Sequence, residues 1–195
     1  MNMAEKAVKD LPTAEQLERE VHRINHKIEY VKVLRSTISS LIVVAAIAVL
    51  VSMLFLPVLR VTGTSMTPTL FNDDLVICRK WGEFKQGDVV AFYNNNKILL
   101  KRVIGTPGDW IDIKEDGTVY VNGEELDEPY LDEKAFGECD IKLPYQVPDS
   151  RIFVMGDHRS TSVDSRSSSV GCIAEEYIIG KVMLRIWPWK RIRFM

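Results

Sequence analysis

The feature that most constrains this chain is an uncharged stretch at residues 36–59, STISSLIVVAAIAVLVSMLFLPVL. As a helix rising about 1.5 Å per residue, it would be about 36 Å long, more than the roughly 30 Å hydrocarbon core of a bilayer. Soluble core helices rarely run this long without a charge, and the stretch exceeds the apolar region of a cleavable signal sequence. The sequence therefore predicts a transmembrane anchor at residues 36–59.

Positive charges predict the orientation of this anchor. More basic residues lie shortly before it than within about 20 residues after it. Because positively charged flanks stay in the cytoplasm, this bias places the N-terminus inside and the rest of the chain outside. We therefore expect a cytoplasmic tail (1–35), a single-pass anchor in the cell membrane (36–59) and an extracytoplasmic domain (60–195).

The tail contains an amphipathic segment at residues 13–35. A capping box, TAEQ, begins it at Thr13. The pattern favours an amphipathic helix that lies on the inner membrane face or leads into the anchor. A short coiled coil, giving weak self-association through residues 13–35, remains an alternative. The apolar residues recur at alternating spacings of four and three, namely Leu17, Val21, Ile24, Ile28 and Val31.

Beyond residue 61 the pattern changes to short β-type runs between turn residues. Residues 89–93 and 98–104 predict one hairpin, and residues 110–113 and 119–121 predict another. We expect a mainly β fold, an extracytoplasmic antiparallel β-barrel or sandwich with a small β-rich insert, preceded by the two helical segments. Further strands are predicted at residues 75–78, 152–155 and 178–186.

Charge is unevenly distributed along this domain. The insert, at about residues 109–150, is acidic, and a solvated face is the default for such a run. The whole chain has 25 Lys+Arg and 27 Asp+Glu, so no nucleic-acid partner driven by overall charge is expected. The C-terminal residues 187–194, WPWKRIRF, suit a membrane interface, and a final strand packed on the β domain fits equally well.

No metal site or cofactor is expected. Cys78, Cys139 and Cys172 form no CxxC motif, and the sequence cannot choose a disulfide pair among them. His22 and His26 lie four residues apart on the tail, but no third type of metal ligand lies near them.

Three segments hold side chains able to perform chemistry. In GTSMTPTL, residues 63–70, Gly63 frees the backbone so that an amide could approach an oxyanion beside Ser65. In LLKRVIG, residues 99–105, burial of Lys101 would lower its pKa and leave a neutral amine able to take a serine proton. Taken alone, however, a serine in a turn or a lysine in a strand is usually structural.

The third segment is GDHRSTSVDSR, residues 156–166, which could supply a hydroxyl and an ion pair that hold a lysine. Its His158 is the only histidine beyond the anchor, and no GxSxG elbow accompanies it. A Ser–Lys dyad is therefore the acyl-transfer chemistry that this sequence still allows.

These segments, with GDVVAFY at residues 87–93 and KRVIGTPGD at residues 101–109, resemble the conserved boxes of bacterial type I signal peptidases. The resemblance covers about residues 36–190, in the family's order. It implies a membrane-bound serine endopeptidase that removes signal peptides from exported preproteins after Ala-x-Ala-type sites. Its partners would be preproteins and membrane lipid, and it would need no cofactor or metal.

The resemblance also implies residue roles. Ser65 would be the nucleophile, with its backbone N–H in the oxyanion hole, and Lys101 the general base. Met66 and Pro68 match the segment beside the bound substrate. Ser162 would hydrogen-bond the lysine amine. The supporting charged positions are Asp157, Arg159, Asp164 and Arg166, the last two as an ion pair.

Three positions place the chain within the family. Gly63 stands where Gram-negative members have an oxyanion-hole hydroxyl. In this respect the chain resembles Gram-positive members. His158 replaces the usual asparagine. Lys101, in place of a histidine, resembles the prokaryotic type rather than that of the endoplasmic reticulum.

Spacing along the chain agrees with this function. Ser65 follows Arg60 by five residues, at most about 18 Å of extended chain, so the nucleophile would work near the outer membrane surface. An extended substrate would dock beside a sheet edge, with two shallow pockets for small residues.

Three other functions fit the sequence less well. A self-cleaving SOS-type repressor would be cytosolic and would carry a DNA-binding domain. An anchored binding domain without catalysis would have no reason to keep Ser65, Lys101 and Ser162 together. A sortase would need a reactive cysteine with histidine and arginine.

Overall fold

The computed structural model describes residues 14–195, which divide between Leu50 and Val51 into two units. Helix α1, Ala14–Phe55, is continuous over 42 residues, so the amphipathic segment and the apolar stretch form one helix. It ends at Phe55, earlier than the expected end of the anchor, because Pro57 disfavours a helical conformation at the residue before it. Thr13 of the predicted capping box lies outside the described residues.

The apolar part of α1 is long enough to cross a bilayer. Its most apolar 18-residue window has a mean hydropathy of 2.7, and the described chain buries none of it. A helix in the core of a soluble protein would be mostly buried, so this alternative is not supported.

The regular structure of the remainder is β, apart from two short 3-10 helices at Glu175–Tyr177 and Trp189–Arg191, which confirms the predicted class and both hairpins. All strand pairs are antiparallel. Residues 56–195 form twelve strands: β1 Val58–Arg60, β2 Leu75–Arg79, β3 Val89–Asn94, β4 Lys97–Gly105, β5 Trp110–Ile113, β6 Val119–Val121, β7 Glu124–Glu125, β8 Tyr145–Gln146, β9 Arg151–Met155, β10 Ile173–Ala174, β11 Ile178–Trp187 and β12 Arg193–Phe194.

The strands form two sheets. The larger has the order β1-β2-β11-β3-β4-β9-β10, with β12 also paired to β11, and the smaller has the order β7-β6-β5-β8. The smaller sheet lies within the acidic insert. Residues 58 and 59, expected at the end of the anchor, instead belong to β1, which begins the larger sheet.

The β3–β4 hairpin determines where Lys101 lies. Its turn residues Asn95 and Asn96 have φ angles of 44° and 64°. Asparagine tolerates this left-handed conformation, which a two-residue hairpin turn requires at both positions. The resulting register pairs Val90 with Lys101, in a strand that lies between β3 and β9 in the larger sheet.

The segment between β1 and β2 is held by apolar burial. Met66 and Leu70 are buried with Val76, Val89 and other residues in one core cluster. Full burial of such side chains stabilises the fold by roughly 1.5–3 kcal/mol each. The loop that carries Ser65 is therefore fixed to the sheet on its C-terminal side.

The C-terminal segment forms a strand, as one of the two alternatives predicted. β12 pairs with β11, while the Trp189 and Phe194 side chains remain 73% and 75% exposed. The three cysteines are free thiols. Burial raises the pKa of Cys78 to about 12 and that of Cys172 to about 11, so both thiols stay protonated at neutral pH.

Candidate active site

Ser65 and Lys101 meet in the structure. Lys101 Nζ donates a hydrogen bond of 2.8 Å to Ser65 Oγ, across 36 positions of sequence. Ser65 lies half-buried in the turn after β1, and Lys101, in β4, is only 3% exposed. The arrangement places an amine at the hydroxyl from which it would have to take a proton.

The surroundings of Lys101 favour its neutral form. Burial lowers the pKa of Lys101 from its ordinary 10.5 to about 8. The Asp164 carboxylate and, more weakly, Asp157 act in the opposite direction, while the Arg166 guanidinium adds to the lowering. Desolvation is the largest of these effects, because water no longer stabilises the ammonium ion. A substantial fraction of Lys101 can therefore act as a base in mildly alkaline solution.

The Ser65 loop is held against the 156–166 loop through its main chain. The Ser65 carbonyl accepts a hydrogen bond from the His158 amide at 3.0 Å. The His158 ring also reaches this loop, with Nδ1 at 3.3 Å from Thr67 Oγ1. His158 thus joins the two loops at the nucleophile.

The far end of the loop is fixed by a buried ion pair that the sequence analysis did not identify. Arg185 of β11 contacts the Asp74 carboxylate at 3.2 Å and donates to the Thr69 carbonyl at 2.9 Å. The nucleophile loop is thereby tied to the centre of the larger sheet.

Two backbone amides near Ser65 differ in availability. The Ser65 N–H donates to no protein acceptor within residues 14–195, so it is free to bind an oxyanion. The Gly63 N–H instead donates to Asn72 Oδ1 at 2.9 Å. Gly63 has a φ of +88°, which favours glycine in this turn, and its own amide is already bonded to Asn72 in this structure.

The predicted ion pair between Asp164 and Arg166 is present and fully buried. Arg166 Nε and Nη2 donate to the two Asp164 oxygens, each at 2.9 Å. Asp164 also accepts the Gly156 N–H at 2.9 Å. This pair therefore shapes the loop that borders the nucleophile.

Asp157 and Arg159, from the same loop, find partners elsewhere. Arg102 donates to both Asp157 oxygens, at 2.9 and 2.6 Å. Arg159 pairs with Glu128 of the insert, and both side chains are completely buried. Glu128 corrects the expectation that the acidic insert is simply solvated. The position of Arg102 next to Lys101 in the same sequence box could have indicated that Arg102 belongs to the site. Nothing in the sequence distinguished Glu128 from the other acidic residues of the insert.

Ser162 lies at the site but does not bond to Lys101. Its Oγ is buried and has no hydrogen-bond partner among the described residues. Its amide donates to the His158 carbonyl at 3.1 Å, which keeps it in the loop beside Ser65.

A groove leads to Ser65. It has a volume of about 340 Å³ and is lined by residues of the 59–66 segment, Met66 included, and by residues 97–100. β4 pairs with β3 from residue 97 onward, but its pairing with β9 starts only at Arg102. Within the described chain, residues 97–101 therefore keep one unpaired backbone edge. Pro68 lies outside this groove and lines another cavity with Thr69 and Arg102.

The described residues contain no cluster of three or more histidine, cysteine or acidic side chains placed to hold a metal ion. His22 and His26 lie side by side on α1, with ring centroids 4.5 Å apart, and no third ligand joins them.

Comparison with known proteins identifies the family. Residues 34–187 match the family model described as "Signal peptidase, peptidase S26". The chain is 36% identical over 190 residues to signal peptidase I of Bacillus licheniformis, covering 90% of this chain and 97% of that protein. It is 39% identical over 154 residues to signal peptidase IB of Staphylococcus aureus, covering 69% and 79%.

A crystal structure of a signal peptidase I from Enterococcus faecalis matches 51% of this chain and 97% of that one, with 28% identity and a TM-score of 0.44. The family match and the relatives, with the sequence boxes that meet at one site, show that this chain belongs to the signal peptidase family of serine endopeptidases.

Proposed function

We propose that this chain is a membrane-anchored endopeptidase that removes N-terminal signal peptides from exported preproteins, with Ser65 as nucleophile and Lys101 as general base. The observation that carries the proposal is the 2.8 Å contact between Lys101 Nζ and Ser65 Oγ at the end of a groove. A purely structural role for these two residues would not explain a lysine buried against a serine, because burial of an amine is costly.

The chemistry follows from this contact. Neutral Lys101 accepts the Ser65 hydroxyl proton as Oγ attacks the scissile carbonyl. The free Ser65 N–H stabilises the resulting oxyanion. Lys101 then gives the proton to the leaving amine, which becomes the N-terminus of the mature protein. A water molecule, deprotonated by Lys101, hydrolyses the acyl-enzyme and releases the signal peptide.

The groove supports an extended substrate. The unpaired edge at residues 97–101 offers main-chain donors and acceptors to one added strand, which requires no particular substrate sequence. Selection would then depend on small side chains next to the scissile bond, as in Ala-x-Ala sites. Met66 supports this as an apolar wall of the groove.

The division of the chain is part of the proposal: tail 1–35, anchor 36–59, and catalytic domain 60–195 with its acidic insert at about 109–150. The uninterrupted α1 supports a single pass, and the excess of basic residues before the apolar stretch supports a cytoplasmic N-terminus. The catalytic domain would then face the outside of the cell membrane, where preproteins emerge.

Contact with membrane lipid is supported at two places. The Trp81 and Phe55 rings meet edge-to-face, with centroids 5.6 Å apart, where α1 ends. At the C-terminus the exposed Trp189 and Phe194 rings accompany three basic side chains, a composition typical of a membrane interface. The basic residues are Lys190, Arg191 and Arg193.

Weak self-association through residues 13–35 also remains a proposal. The apolar seam is exposed along the described part of α1. In a parallel pair, Lys27 of one helix would face Lys32 of the other across the seam. This repulsion limits the strength of any such pairing.

The experiment compares wild type, Ser65→Ala and Lys101→Ala in detergent, with a preprotein that carries an Ala-x-Ala site. We expect wild type to cut after the second alanine and both folded variants to be inactive. EDTA should leave cleavage unchanged, because every group in the proposed steps is a side chain, an amide or water. A wild-type protein inert on several preproteins would overturn the proposal and favour an anchored binding domain.

A further inference from the structure

A short piece of the insert, residues 128–130, runs beneath the catalytic loops. Its Glu128 forms an ion pair with Arg159 in which both side chains are fully buried. Glu128 also accepts a hydrogen bond of 2.7 Å from the Tyr130 hydroxyl. Two carboxylate oxygens thus bind a guanidinium from the 156–166 loop and a phenol from the insert.

One branch of this network reaches the nucleophile. Arg159 Nε donates to the Gly156 carbonyl at 3.1 Å. Gly156 in turn lies against the site, since a Cβ atom there would lie 2.6 Å from the Ser65 carbonyl oxygen and 2.1 Å from Ser162 Oγ. A shift of Arg159 would therefore be transmitted to Gly156 and from there to Ser65.

The other branch reaches the base. The Arg102 guanidinium lies 3.9 Å from the centroid of the Tyr130 ring, a cation–π contact. Arg102 directly follows Lys101 in β4, and its side chain holds Asp157 and, at 3.1 Å, Thr69 Oγ1 of the nucleophile loop. Tyr130 thus covers the side chain that links the lysine strand, the nucleophile loop and the 156–166 loop.

We infer that Glu128 and Tyr130 are positioning residues that hold Ser65 and Lys101 in register, through Arg159 and Arg102 respectively. The inference rests on the proposed function, since it assigns these residues to the same reaction. Neither residue touches the reacting atoms.

The energetics favour positioning over stability as the reason for this network. Burial of an ion pair removes two charges from water, and well-packed apolar residues would often stabilise a fold equally well. A bidentate guanidinium–carboxylate pair does fix the orientation of its two side chains, because its two parallel hydrogen bonds form only within a narrow range of angles. The charged and titratable groups around Glu128 are Arg159, Tyr130, Arg102, Asp157 and Lys134.

The test uses the full-length protein in detergent. Tyr130→Phe removes the hydroxyl that bonds Glu128, so the ring over Arg102 loses the hydrogen bond that fixes its position. Glu128→Gln removes the negative charge of the carboxylate that accepts the Tyr130 hydroxyl and pairs with Arg159. Glu125→Gln is the matched control, because Glu125 lies in the same insert but forms an exposed ion pair with Lys134.

We expect kcat to fall about fivefold in Tyr130→Phe and about a hundredfold in Glu128→Gln, with KM within twofold of wild type. The midpoint of the rising limb of the pH profile should move above that of wild type in Tyr130→Phe, because a loosened site admits water to Lys101. Glu125→Gln should match wild type in both measurements.

A folded Tyr130→Phe with wild-type kcat and an unchanged pH midpoint would overturn the inference. A kcat that falls only in proportion to the fraction of unfolded protein would also overturn it, because that loss indicates a purely structural role. If Glu128→Gln does not fold, Tyr130→Phe decides alone. Cleavage of the preprotein by wild type and by Glu125→Gln shows that the proposed function holds, so a negative result for Tyr130→Phe then counts against the positioning role alone. If wild type does not cleave, the proposed function fails and the positioning role fails with it.

Discussion

Gly156 lies so close to Ser162 that a Cβ atom at position 156 would meet Ser162 Oγ at 2.1 Å. The same atom would lie 2.6 Å from the Ser65 carbonyl oxygen, well inside van der Waals contact. A side chain there would therefore displace either the serine of the loop or the backbone of the nucleophile. Glycine is required at this position because the Ser162 side chain and the Ser65 backbone both approach it closely.

Gly156→Ala should lower kcat by about a hundredfold or more, because displacement of a reacting group by about 1 Å costs that much. Steady-state cleavage of a preprotein gives the value. Gly123→Ala is the control: Gly123 has open space around it and a φ of +86°, so only backbone strain is added. A Gly156→Ala enzyme as active as Gly123→Ala would contradict the close approach.

Cleavage should depend on pH through Lys101. With its pKa lowered by burial to about 8, the fraction of neutral lysine is about a tenth at pH 7 and about nine tenths at pH 9. We expect kcat/KM to rise with a slope of one and to level off above the midpoint near pH 8. Initial rates from pH 6 to 10 test this, and a flat profile with chemistry rate-limiting would rule out lysine as the base.

Lys101→Met should stabilise the protein while abolishing cleavage. The lowered pKa means that the folded state binds the proton less tightly than the unfolded state, so below about pH 8 folding carries a penalty of about 3 kcal/mol. That penalty disappears as pH rises from about 8 to about 10.5. Thermal melts at pH 7 should therefore show a variant several degrees more stable.

The difference in melting temperature between Lys101→Met and wild type should shrink toward pH 10. Ser65→Ala serves as a second inactive variant that retains the lysine and should keep the pH dependence of wild-type stability. Equal melting temperatures for wild type and Lys101→Met at pH 7 would show that the buried amine carries no penalty.

Ser162→Ala separates a catalytic contribution from a structural one. The buried Ser162 hydroxyl has no partner among the described residues, so its removal breaks no hydrogen bond there and should not lower stability. If this hydroxyl turns toward Lys101 when substrate binds, kcat should fall about tenfold or more with the melting temperature unchanged. Unchanged kcat would mean that Ser162 only fills space.

Local patterns were enough to predict most of the larger sheet. The two β-type runs that flank the asparagine turn at residues 94–96 gave the β3–β4 hairpin to within one residue at each end. Such signals lie within a few neighbouring positions. The end of α1 at Phe55 was missed because the apolar composition continues past Pro57, although the proline does interrupt the helix.

The partners of the buried charges could not be predicted in the same way. Arg102 and Asp157 are 55 positions apart, and Glu128 and Arg159 are 31 apart. Which acid meets which arginine depends on strand register and on the course of the insert, neither of which leaves a periodic signal. Elimination left a Ser–Lys dyad as the acyl-transfer chemistry that the sequence allows. A lone serine and a strand lysine carry little information, however, so the assignment to Ser65 and Lys101 depended on the resemblance of their boxes to a family.

Under the proposed function, the unpaired edge of β4 would accept an extended chain but not a helix, whose amide and carbonyl groups are already bonded to each other. An apolar signal segment that is helical in the bilayer must therefore unwind before its scissile bond reaches Ser65. Local helix stability in the substrate thus becomes part of the barrier to cleavage. Among substrates with the same Ala-x-Ala site, those with glycine or proline at the boundary between membrane segment and cleavage site should be processed fastest.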